Sequence, residues 1–234
     1  MKSLVNAVVL IAALSSAVYA DEAPQRNKRP VCCAPFSWTG IYVGGHTGWG
    51  SMEIFLPSAP GIDTPPSPTG GLWGGQIGAN YQFARHWVVG AEIDGAFARL
   101  EDSYIRPDPL FPLTLLADTV KLNSLTTVRG RLGFAWDRTL LYATGGWAWS
   151  TVEVTTSSSN AGGPGPQIVT DTATVHGWTV GGGIEMALWS NWTSKIEYQL
   201  VHSDTTTFKT QGGTSPPVHF DLQTVRIGVN YLFR

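Results

Sequence analysis

The chain has 234 residues, the size of one ordinary domain. Only 14% of them are charged, against about 25% in a typical soluble domain, and the net charge is −2. This balance gives no electrostatic basis for binding nucleic acid or an acidic substrate. The 27 glycines argue against long helices, because glycine weakens a helix by about 1 kcal/mol per site relative to alanine.

The first twenty residues have the pattern of a secretory signal peptide. Lys2 gives a positive start, an apolar run covers residues 4–14, and Val18-Tyr19-Ala20 resembles a small-residue cleavage site. The apolar run is too short for a membrane-spanning helix, which needs about 20 residues. The rest of the sequence contains no apolar run that is longer than this one. We therefore predict a signal peptide at residues 1–20, a periplasmic linker at 21–37 and a folded domain at 38–234.

Two adjacent cysteines, Cys32 and Cys33, lie in the predicted linker. Adjacent cysteines rarely bridge each other, because a disulfide needs Cα atoms about 5.5 Å apart. We expect a loosely held thiol pair there, with a metal or redox role as the less favoured alternative.

Beyond residue 36, apolar and polar residues alternate with a period of two, which is typical of strands with two different faces. In the last segment Val225, Ile227 and Val229 share one face, while Thr224 and Arg226 share the other. We predict eight such strands, at residues 38–52, 71–83, 87–100, 119–136, 139–155, 173–189, 192–208 and 219–233.

The connections between these strands alternate in length. Tight turns are predicted at 84–86, 137–138 and 190–191, and long loops at 53–70, 101–118, 156–172 and 209–218. Short turns at one rim and long loops at the other are typical of outer-membrane barrels. The predicted fold is therefore all-β, an eight-stranded antiparallel up-and-down transmembrane β-barrel. A soluble barrel of the lipocalin type, with its apolar residues turned inward, is the alternative.

The polar faces of the predicted strands carry four acids and four bases. They are Glu92, Asp94, Arg129, Arg131, Glu185, Lys195, Glu197 and Arg226. An eight-stranded barrel has an interior just wide enough for side chains to fill, and an unpaired ion there would cost several kcal/mol. We therefore predict a paired charge network in the lumen, with the wet face of a soluble sandwich as the alternative.

All ten tryptophans lie toward the ends of predicted strands. Those beside the short turns or the first strand's start are Trp38, Trp87, Trp136, Trp189 and Trp192, and those toward the long loops are Trp49, Trp73, Trp147, Trp149 and Trp178. Indole is apolar but carries an N–H, so it favours the boundary between membrane and water. We predict two belts of membrane-interface aromatics, whereas packing in a soluble core would not explain two clusters.

The last strand resembles the carboxy-terminal insertion signal of outer-membrane barrels. Its sequence at 226–233 is RIGVNYLF, in which Arg226, Gly228, Tyr231 and Phe233 match the polar, glycine and aromatic positions. The resemblance implies that the outer-membrane assembly machinery recognises this strand by pairing with it. Arg234 departs from the pattern, because it follows the usual terminal aromatic.

Five further segments, in order, resemble the small porin-family, opacity-like outer-membrane proteins of alphaproteobacteria. They are WTGIYVGG at 38–45, GGQIGANY at 74–81, TVRGRLG at 127–133, GWTVGGGIE at 177–185 and KIEY at 195–198. The resemblance covers residues 36–233 and implies an eight-stranded barrel of the outer membrane protein A type. Members of this family are described as structural envelope proteins, surface antigens or small porins, and a few bind haemin.

The sequence predicts no catalytic, cofactor or metal site. His202, Ser203 and Asp204 are the residue types of a catalytic triad, but consecutive strand residues point to alternate faces and cannot form a relay. The five histidines lack metal-ligand spacing. The segment Gly181-Gly182-Gly183 is not a phosphate loop, because no Lys-Ser/Thr follows it.

Three functions from different classes remain. The first is a structural barrel of the cell envelope whose loops face the exterior and bind an unknown ligand or serve as antigens. The second is a narrow pore, although true porins use 16–18 strands for a water path. The third is a barrel enzyme that modifies lipid through His202, with a serine drawn from a neighbouring strand.

The location that all three functions share is the cell outer membrane. The expected partners are outer-membrane lipids, lipopolysaccharide and the assembly machinery, without nucleic acid. A closed barrel leaves no open sheet edge, so we expect a monomer.

Overall fold

The computed structural model describes residues 36–55, 66–107, 115–159, 167–210, 213–214 and 217–234. The predicted signal peptide, the linker up to residue 35, and Cys32 and Cys33 lie outside the described residues. Within the described residues, no helix is long and apolar enough to cross a membrane.

The described residues form ten strands. They are β1 (Gly40–Phe55), β2 (Thr69–Phe83), β3 (Trp87–Pro107), β4 (Leu115–Trp136), β5 (Thr139–Ser159), β6 (Gln167–Trp189), β7 (Trp192–Ser203), β8 (Lys209–Thr210), β9 (Gly213–Thr214) and β10 (His219–Phe233). Eight of them close an antiparallel barrel in the order β1-β10-β7-β6-β5-β4-β3-β2, while β8 and β9 pair separately. The predicted fold class, an eight-stranded antiparallel barrel, is confirmed.

The observed strands differ from the predicted ones mainly toward the long loops. Strands β3 to β6 contain 21 to 23 residues and extend beyond their predicted ends on that side. Strand β7 instead ends at Ser203, five residues before its predicted end, and Thr206 makes only an isolated bridge to Val218.

The strands wind around the barrel with a fixed stagger. Following paired residues from Tyr42 through each neighbouring strand in turn leads back to β1 at Met52, ten residues further along. A stagger of this size in eight strands tilts them by about 40° and leaves an interior that side chains fill.

Two girdles of exposed aromatic residues divide the barrel into two sections. One girdle lies toward the long loops and contains Trp49, Trp73, Phe97, Trp147 and Trp178. The other lies beside the short turns and contains Tyr81, Phe83, Trp87, Phe134, Trp136, Trp189, Trp192 and Phe233. We call the part between the two girdles the turn-end section. The part that extends from the first girdle toward the long loops is the loop-end section.

The length of β3 shows how far the loop-end section extends. Trp87 and Phe97 belong to opposite aromatic girdles and are ten residues apart. Beyond Phe97, β3 continues for ten more residues to Pro107. A tilted strand crosses a bilayer in about 9–11 residues. The turn-end section alone therefore has the length of a transmembrane barrel.

The two sections have opposite polarity. In the turn-end section the outer face carries exposed Ile77, Ile93, Leu132, Ile184 and Ile196, and the inner face is polar. In the loop-end section the inner face is mainly apolar, with Asp118 and Thr156 as buried polar exceptions. The outer face is mainly polar, with Ile105 and Ile168 as exposed apolar exceptions. Its exposed polar residues include Glu53, Arg99, Glu101, Ser103, Asn123, Thr172, Thr174 and His176.

The interior of the loop-end section is an apolar core, which we call the upper apolar cluster. Its buried members are Met52, Leu72, Ala96, Ala98, Leu100, Val120, Leu122, Leu125, Ala148, Val152, Val175, Val201, Phe208, Val218, Phe220 and Leu222. The expectation that apolar strand faces point outward is wrong for this section. A barrel section in water buries its apolar side chains inside, whereas a section in lipid exposes them.

A β-bulge in β4 adds a second leucine to this cluster. Leu122 pairs with Val152 and Ser124 pairs with Thr151, so β4 has one extra residue between these pairs. Because strand faces alternate, Leu122 and Leu125 would otherwise point to opposite sides. The bulge lets both point inward, where each is 1% exposed.

Candidate functional site: the barrel lumen and its rims

The eight charged residues predicted for the lumen all lie inside the turn-end section. Their exposed fractions are between 1% and 3%. They come from β3, β4, β6, β7 and β10, and each has an oppositely charged partner within ion-pair distance. We call this set the charge network.

Four members of the charge network form a continuous group. Arg129 donates hydrogen bonds to Glu92 Oε1 at 2.5 Å and to Glu197 Oε1 at 2.6 Å. Lys195 Nζ lies 3.0 Å from Glu92 Oε2 and 3.8 Å from Glu197 Oε2. Each carboxylate therefore faces two cations, and each cation faces two carboxylates, so the charges of the group balance.

The other four members form two pairs. Arg131 pairs with Glu185, whose Oε1 also accepts hydrogen bonds from Thr193 at 2.5 Å and from Asn230 at 2.9 Å. The Arg131 guanidinium carbon lies 3.6 Å from the centroid of the Tyr142 ring. The buried carboxylate and guanidinium thus have neutral partners as well as each other.

The second pair, Arg226 and Asp94, is supported by a chain of polar side chains. Arg226 donates to Asp94 Oδ1 at 2.8 Å, and His46 Nδ1 lies 3.1 Å from Asp94 Oδ2. His46 Nδ1 is also 2.6 Å from Gln76 Oε1, and Gln76 donates to Asn230 Oδ1 at 2.6 Å. His46, Gln76 and Asn230 were not predicted from the sequence, although their inward strand positions could have indicated them.

Two tyrosines join the four-residue group from strands β1 and β5. Tyr42 donates to Glu92 Oε2 at 2.8 Å, and Tyr142 donates to Glu197 Oε2 at 2.9 Å. Both rings lie against glycines, because a Cβ added at Gly78 would lie 2.4 Å from the Tyr42 ring and one at Gly183 would lie 2.7 Å from the Tyr142 hydroxyl. The inward glycines therefore make room for rings that reach the centre of the lumen.

The contacts of the charge network cross the lumen. Strands β3 and β7 occupy opposite positions in the eight-stranded order, so the contact of Glu92 with Lys195 spans the barrel. Arg226 on β10 and Asp94 on β3 lie three strands apart. These contacts, together with the apolar layers above and below them, fill the cross-section of the lumen with side chains.

A second apolar layer closes the end of the lumen beside the short turns. Its buried members, the lower apolar cluster, are Trp38, Val88, Ala135, Leu140, Tyr142 and Ala187, with Phe36 packed against them. Trp38 is 1% exposed, so its assignment as a membrane-interface aromatic is wrong. Its backbone N–H donates to Gln82 Oε1 at 2.8 Å, and its indole packs against Phe36 in the barrel mouth.

The other nine tryptophans lie on the outer face. Trp49, Trp73, Trp87, Trp136, Trp147, Trp178, Trp189 and Trp192 are exposed, and Trp149 is half-buried. The eight exposed tryptophans form the two girdles described above together with phenylalanine and tyrosine residues. Sequence reasoning based on tryptophan alone did not include these additional aromatics.

The residues of the predicted insertion signal occupy both faces of β10. Arg226 and Gly228 point inward, Phe233 is exposed, and half-buried Tyr231 lies between the Trp192 and Phe233 rings at centroid distances of 5.2 and 4.8 Å. Arg234, which departs from the usual pattern, has its guanidinium carbon 4.4 Å from the Phe36 ring centroid and donates to the Ser190 carbonyl. The additional residue thus holds the first described residues against the last turn.

The triad residue types at 202–204 lie on different faces. His202 is on the outer face, with Nδ1 2.6 Å from Asp221 Oδ1, whereas Ser203 is buried inside and accepts a hydrogen bond from the Phe220 N–H. His202 and His219 have ring centroids 5.6 Å apart. Across the described ranges, no group of three or more His, Cys, Asp or Glu side chains could hold a metal ion.

Comparison with known proteins places this barrel among envelope proteins. A family model described as the outer membrane protein beta-barrel domain matches residues 7–233. The 31 kDa outer-membrane immunogenic protein of Brucella melitensis is 32% identical over 248 residues, which cover 100% of both chains. The 22 kDa outer membrane protein of Rhizobium leguminosarum is 28% identical over 198 residues, covering 84% of this chain and 79% of that protein.

Solved structures similar to this chain include the outer membrane protein OprG from Pseudomonas aeruginosa. The identity is 12% and the TM-score is 0.46, with 84% of this chain and 97% of that chain covered.

Proposed function

Since the chain belongs to the outer membrane protein beta-barrel domain family, we propose that it is a structural, non-enzymatic protein of the Gram-negative envelope that holds its long loops at the cell surface. Its location is the outer membrane, as the family and the relatives in Brucella and Rhizobium indicate. The observation that carries the proposal is the filled lumen. Three successive layers of side chains, two apolar and one charged, occupy it.

The filled lumen argues against the alternative of a narrow pore. An ion passing through would have to separate the Glu92–Lys195 contact, which spans the lumen, and then cross the upper apolar cluster. Removing one partner of a buried ion pair costs about 3–5 kcal/mol, and an apolar layer offers an ion no compensating partner.

The alternative of a lipid-modifying enzyme loses the pairing of His202 with Ser203. His202 and Ser203 lie on opposite faces of one strand. A relay through hydrogen bonds needs the two side chains on one side of the barrel wall. The Brucella relative is named an immunogenic protein, which agrees with a role of the loops as surface antigens in this chain as well.

Conductance across a planar lipid bilayer tests the filled lumen. The refolded full chain should give no current steps above those of the bare bilayer, because side chains block the water path. A 16-stranded porin reconstituted in the same way is the positive control. Reproducible steps from the wild-type chain would overturn the structural role in favour of the pore.

The orientation of the loops is tested separately on intact cells. An epitope tag inserted within residues 160–166 should bind antibody on intact cells, whereas the same tag in the 137–138 turn should bind only after the outer membrane is permeabilised. Short turns face the periplasm in barrels of this class. The reverse pattern would contradict the proposed surface display.

A further inference from the structure

Strand β6 extends beyond its neighbour β7. The two strands pair from Gly177 onward, and the Asp204 N–H donates to the His176 carbonyl at 2.7 Å where this contact ends. On its other side β6 remains paired with β5 as far as Gln167. On the side of β7, no described residue forms a strand pair with residues 167–175. We call residues 167–175 the β6 edge.

The chain that follows β7 leaves the β6 edge. Thr206 forms its bridge with Val218, and Phe208 packs in the upper apolar cluster. Strand β8 then pairs with β9 and not with β6. The described part of the chain that could have continued the sheet is therefore paired or buried elsewhere.

The main chain of the β6 edge offers hydrogen-bonding groups to another strand. In an antiparallel sheet the N–H and C=O groups of successive residues point alternately to the two sides of a strand. Since the His176 carbonyl points toward β7, the even-numbered residues of the edge point to the same side. These residues are Ile168, Thr170, Thr172 and Thr174. Each presents one donor and one acceptor, so the edge can form a ladder of several hydrogen bonds.

The opposite edge of the same sheet is protected. Strand β3 pairs with β2 only as far as Glu101. Just beyond, the Asp102 carboxylate accepts the N–H groups of Ser67 and Ser103, each at 2.8 Å, and the strand ends at Pro107. Charged side chains and proline keep edge strands from pairing with other chains. The β3 side is therefore closed to a further strand.

The sequence of the β6 edge, QIVTDTATV, favours pairing instead. Six of its nine residues are β-branched, and the segment contains no proline, glycine or lysine. Its one charged residue, Asp171, has a half-buried side chain on the inner face. The Ile168 side chain is 68% exposed although it lies on the outer face of the loop-end section. An added strand would cover this side chain.

The side chains of the β6 edge define what an added strand would carry. On the outer face, the threonines at 170, 172 and 174 are exposed. On the inner face, Val169 and Ala173 are half-buried, and Ala173 packs against the upper apolar cluster. Strand β5 meets the same requirement by alternating polar residues with valine at 151–155. A fitting partner therefore alternates hydroxyl and aliphatic side chains.

We propose that the β6 edge binds an extended segment of another protein as an additional antiparallel strand. Backbone hydrogen bonds supply the affinity, and the alternation of hydroxyl and aliphatic side chains selects the segment. The inference rests on the proposed function, because the edge must face the exterior to meet such a protein.

A second copy in the same membrane does not fit the β6 edge. Two such barrels are related by a rotation about the membrane normal, so their β6 strands run in the same direction across the membrane and cannot pair antiparallel. Because strands in these barrels tilt by about 40°, two β6 strands related by a twofold axis would cross at about 80°. Paired strands differ in direction by only about 20–25°. The partner is therefore a different chain that reaches the cell surface.

Binding of a strand peptide to the refolded full chain in lipid nanodiscs, measured by biolayer interferometry, tests the proposal. The probe has the sequence of residues 150–158, STVEVTTSS, which in β5 already pairs with the other side of the β6 edge. The probe should bind the wild type saturably. N-methylation of its second, fourth and sixth residues should abolish binding, because these amides would face the edge. N-methylation of its third, fifth and seventh residues, whose amides would face away, should leave binding unchanged.

A pair of variants tests the main-chain contact from the side of the barrel. Thr172→Pro removes an N–H that points to the open side, so probe binding should weaken about tenfold. Thr172→Ala is the matched control, because it removes the hydroxyl and keeps the N–H, and it should bind within about twofold of the wild type. This N–H has no ladder partner among the described residues, so both variants should close the barrel. Heat-dependent gel mobility verifies their folding.

Several outcomes would overturn the proposed strand site. These are no saturable binding by the wild type, equal binding of the two methylated probes, or equal binding by the two Thr172 variants. Binding by a variant that lacks residues 209–214, with none by the wild type, would assign the β6 edge to the chain's own loop. The epitope-tag experiment above fails independently of these results, because it reports which rim faces the exterior without any peptide.

Discussion

The turn-end section and the loop-end section share the same strands, yet they bury opposite kinds of side chain. Along β3, Glu92 and Asp94 point into the lumen on the short-turn side of the aromatic girdle that contains Phe97. Ala98 and Leu100 point into the lumen on its long-loop side. The backbone alternation is the same in both sections. What differs is the medium outside, lipid for the first section and water for the second, and each medium draws the side chains that resemble it outward.

The comparison also shows two ways of filling a narrow barrel. The turn-end section fills it with ions that balance each other, and the loop-end section fills it with aliphatic side chains. Loss of a charge and loss of a methyl group should therefore have their largest effects in different sections.

The largest expected effect is in the charge network. Glu92→Gln removes the carboxylate that faces both Arg129 and Lys195, so we expect the free energy of unfolding to fall by about 3–5 kcal/mol. Urea unfolding in lipid vesicles measures it. Glu153→Gln, on the outer face of the loop-end section, is the control and should cost less than about 0.5 kcal/mol. Similar losses in both variants would contradict a balanced buried network.

The next effect concerns the upper apolar cluster. Leu122→Ala leaves a cavity at a side chain that is 1% exposed and should cost about 2–5 kcal/mol in the same urea experiment. Leu132→Ala on the lipid-facing side should cost less, because acyl chains occupy the space that the side chain leaves. The idea of a water-surrounded apolar core fails if Leu132→Ala is the more destabilising variant.

The third effect tests the polarity of the outer face directly. Val128→Lys places a charge on the lipid-facing side of the turn-end section, where it should cost about 2–4 kcal/mol. Thr174→Lys on the outer face of the loop-end section should change stability by less than about 0.5 kcal/mol. If both substitutions lowered stability equally in vesicles, the boundary between lipid and water would lie closer to the long loops than the aromatic girdle that contains Trp178.

The sequence alone determined the class of fold because each strand repeats a short local rule. The alternation around Arg226, the short turns at 137–138 and 190–191, and the tryptophans near strand ends are all visible without coordinates. The eight lumen charges could be identified for the same reason, since an ion in an otherwise apolar strand has only the lumen in which to find partners.

Only the tertiary structure decided which partners meet and where the lipid ends. The contact of Glu92 with Lys195 depends on closure of the barrel, because the two residues are 103 positions apart and on opposite walls. Trp38 is the residue type of a membrane interface but lies in the lumen, since its indole packs in the lower apolar cluster. Likewise Leu122 faces inward although Leu132 faces lipid, because alternation fixes that two faces differ and the surrounding medium fixes which one is buried.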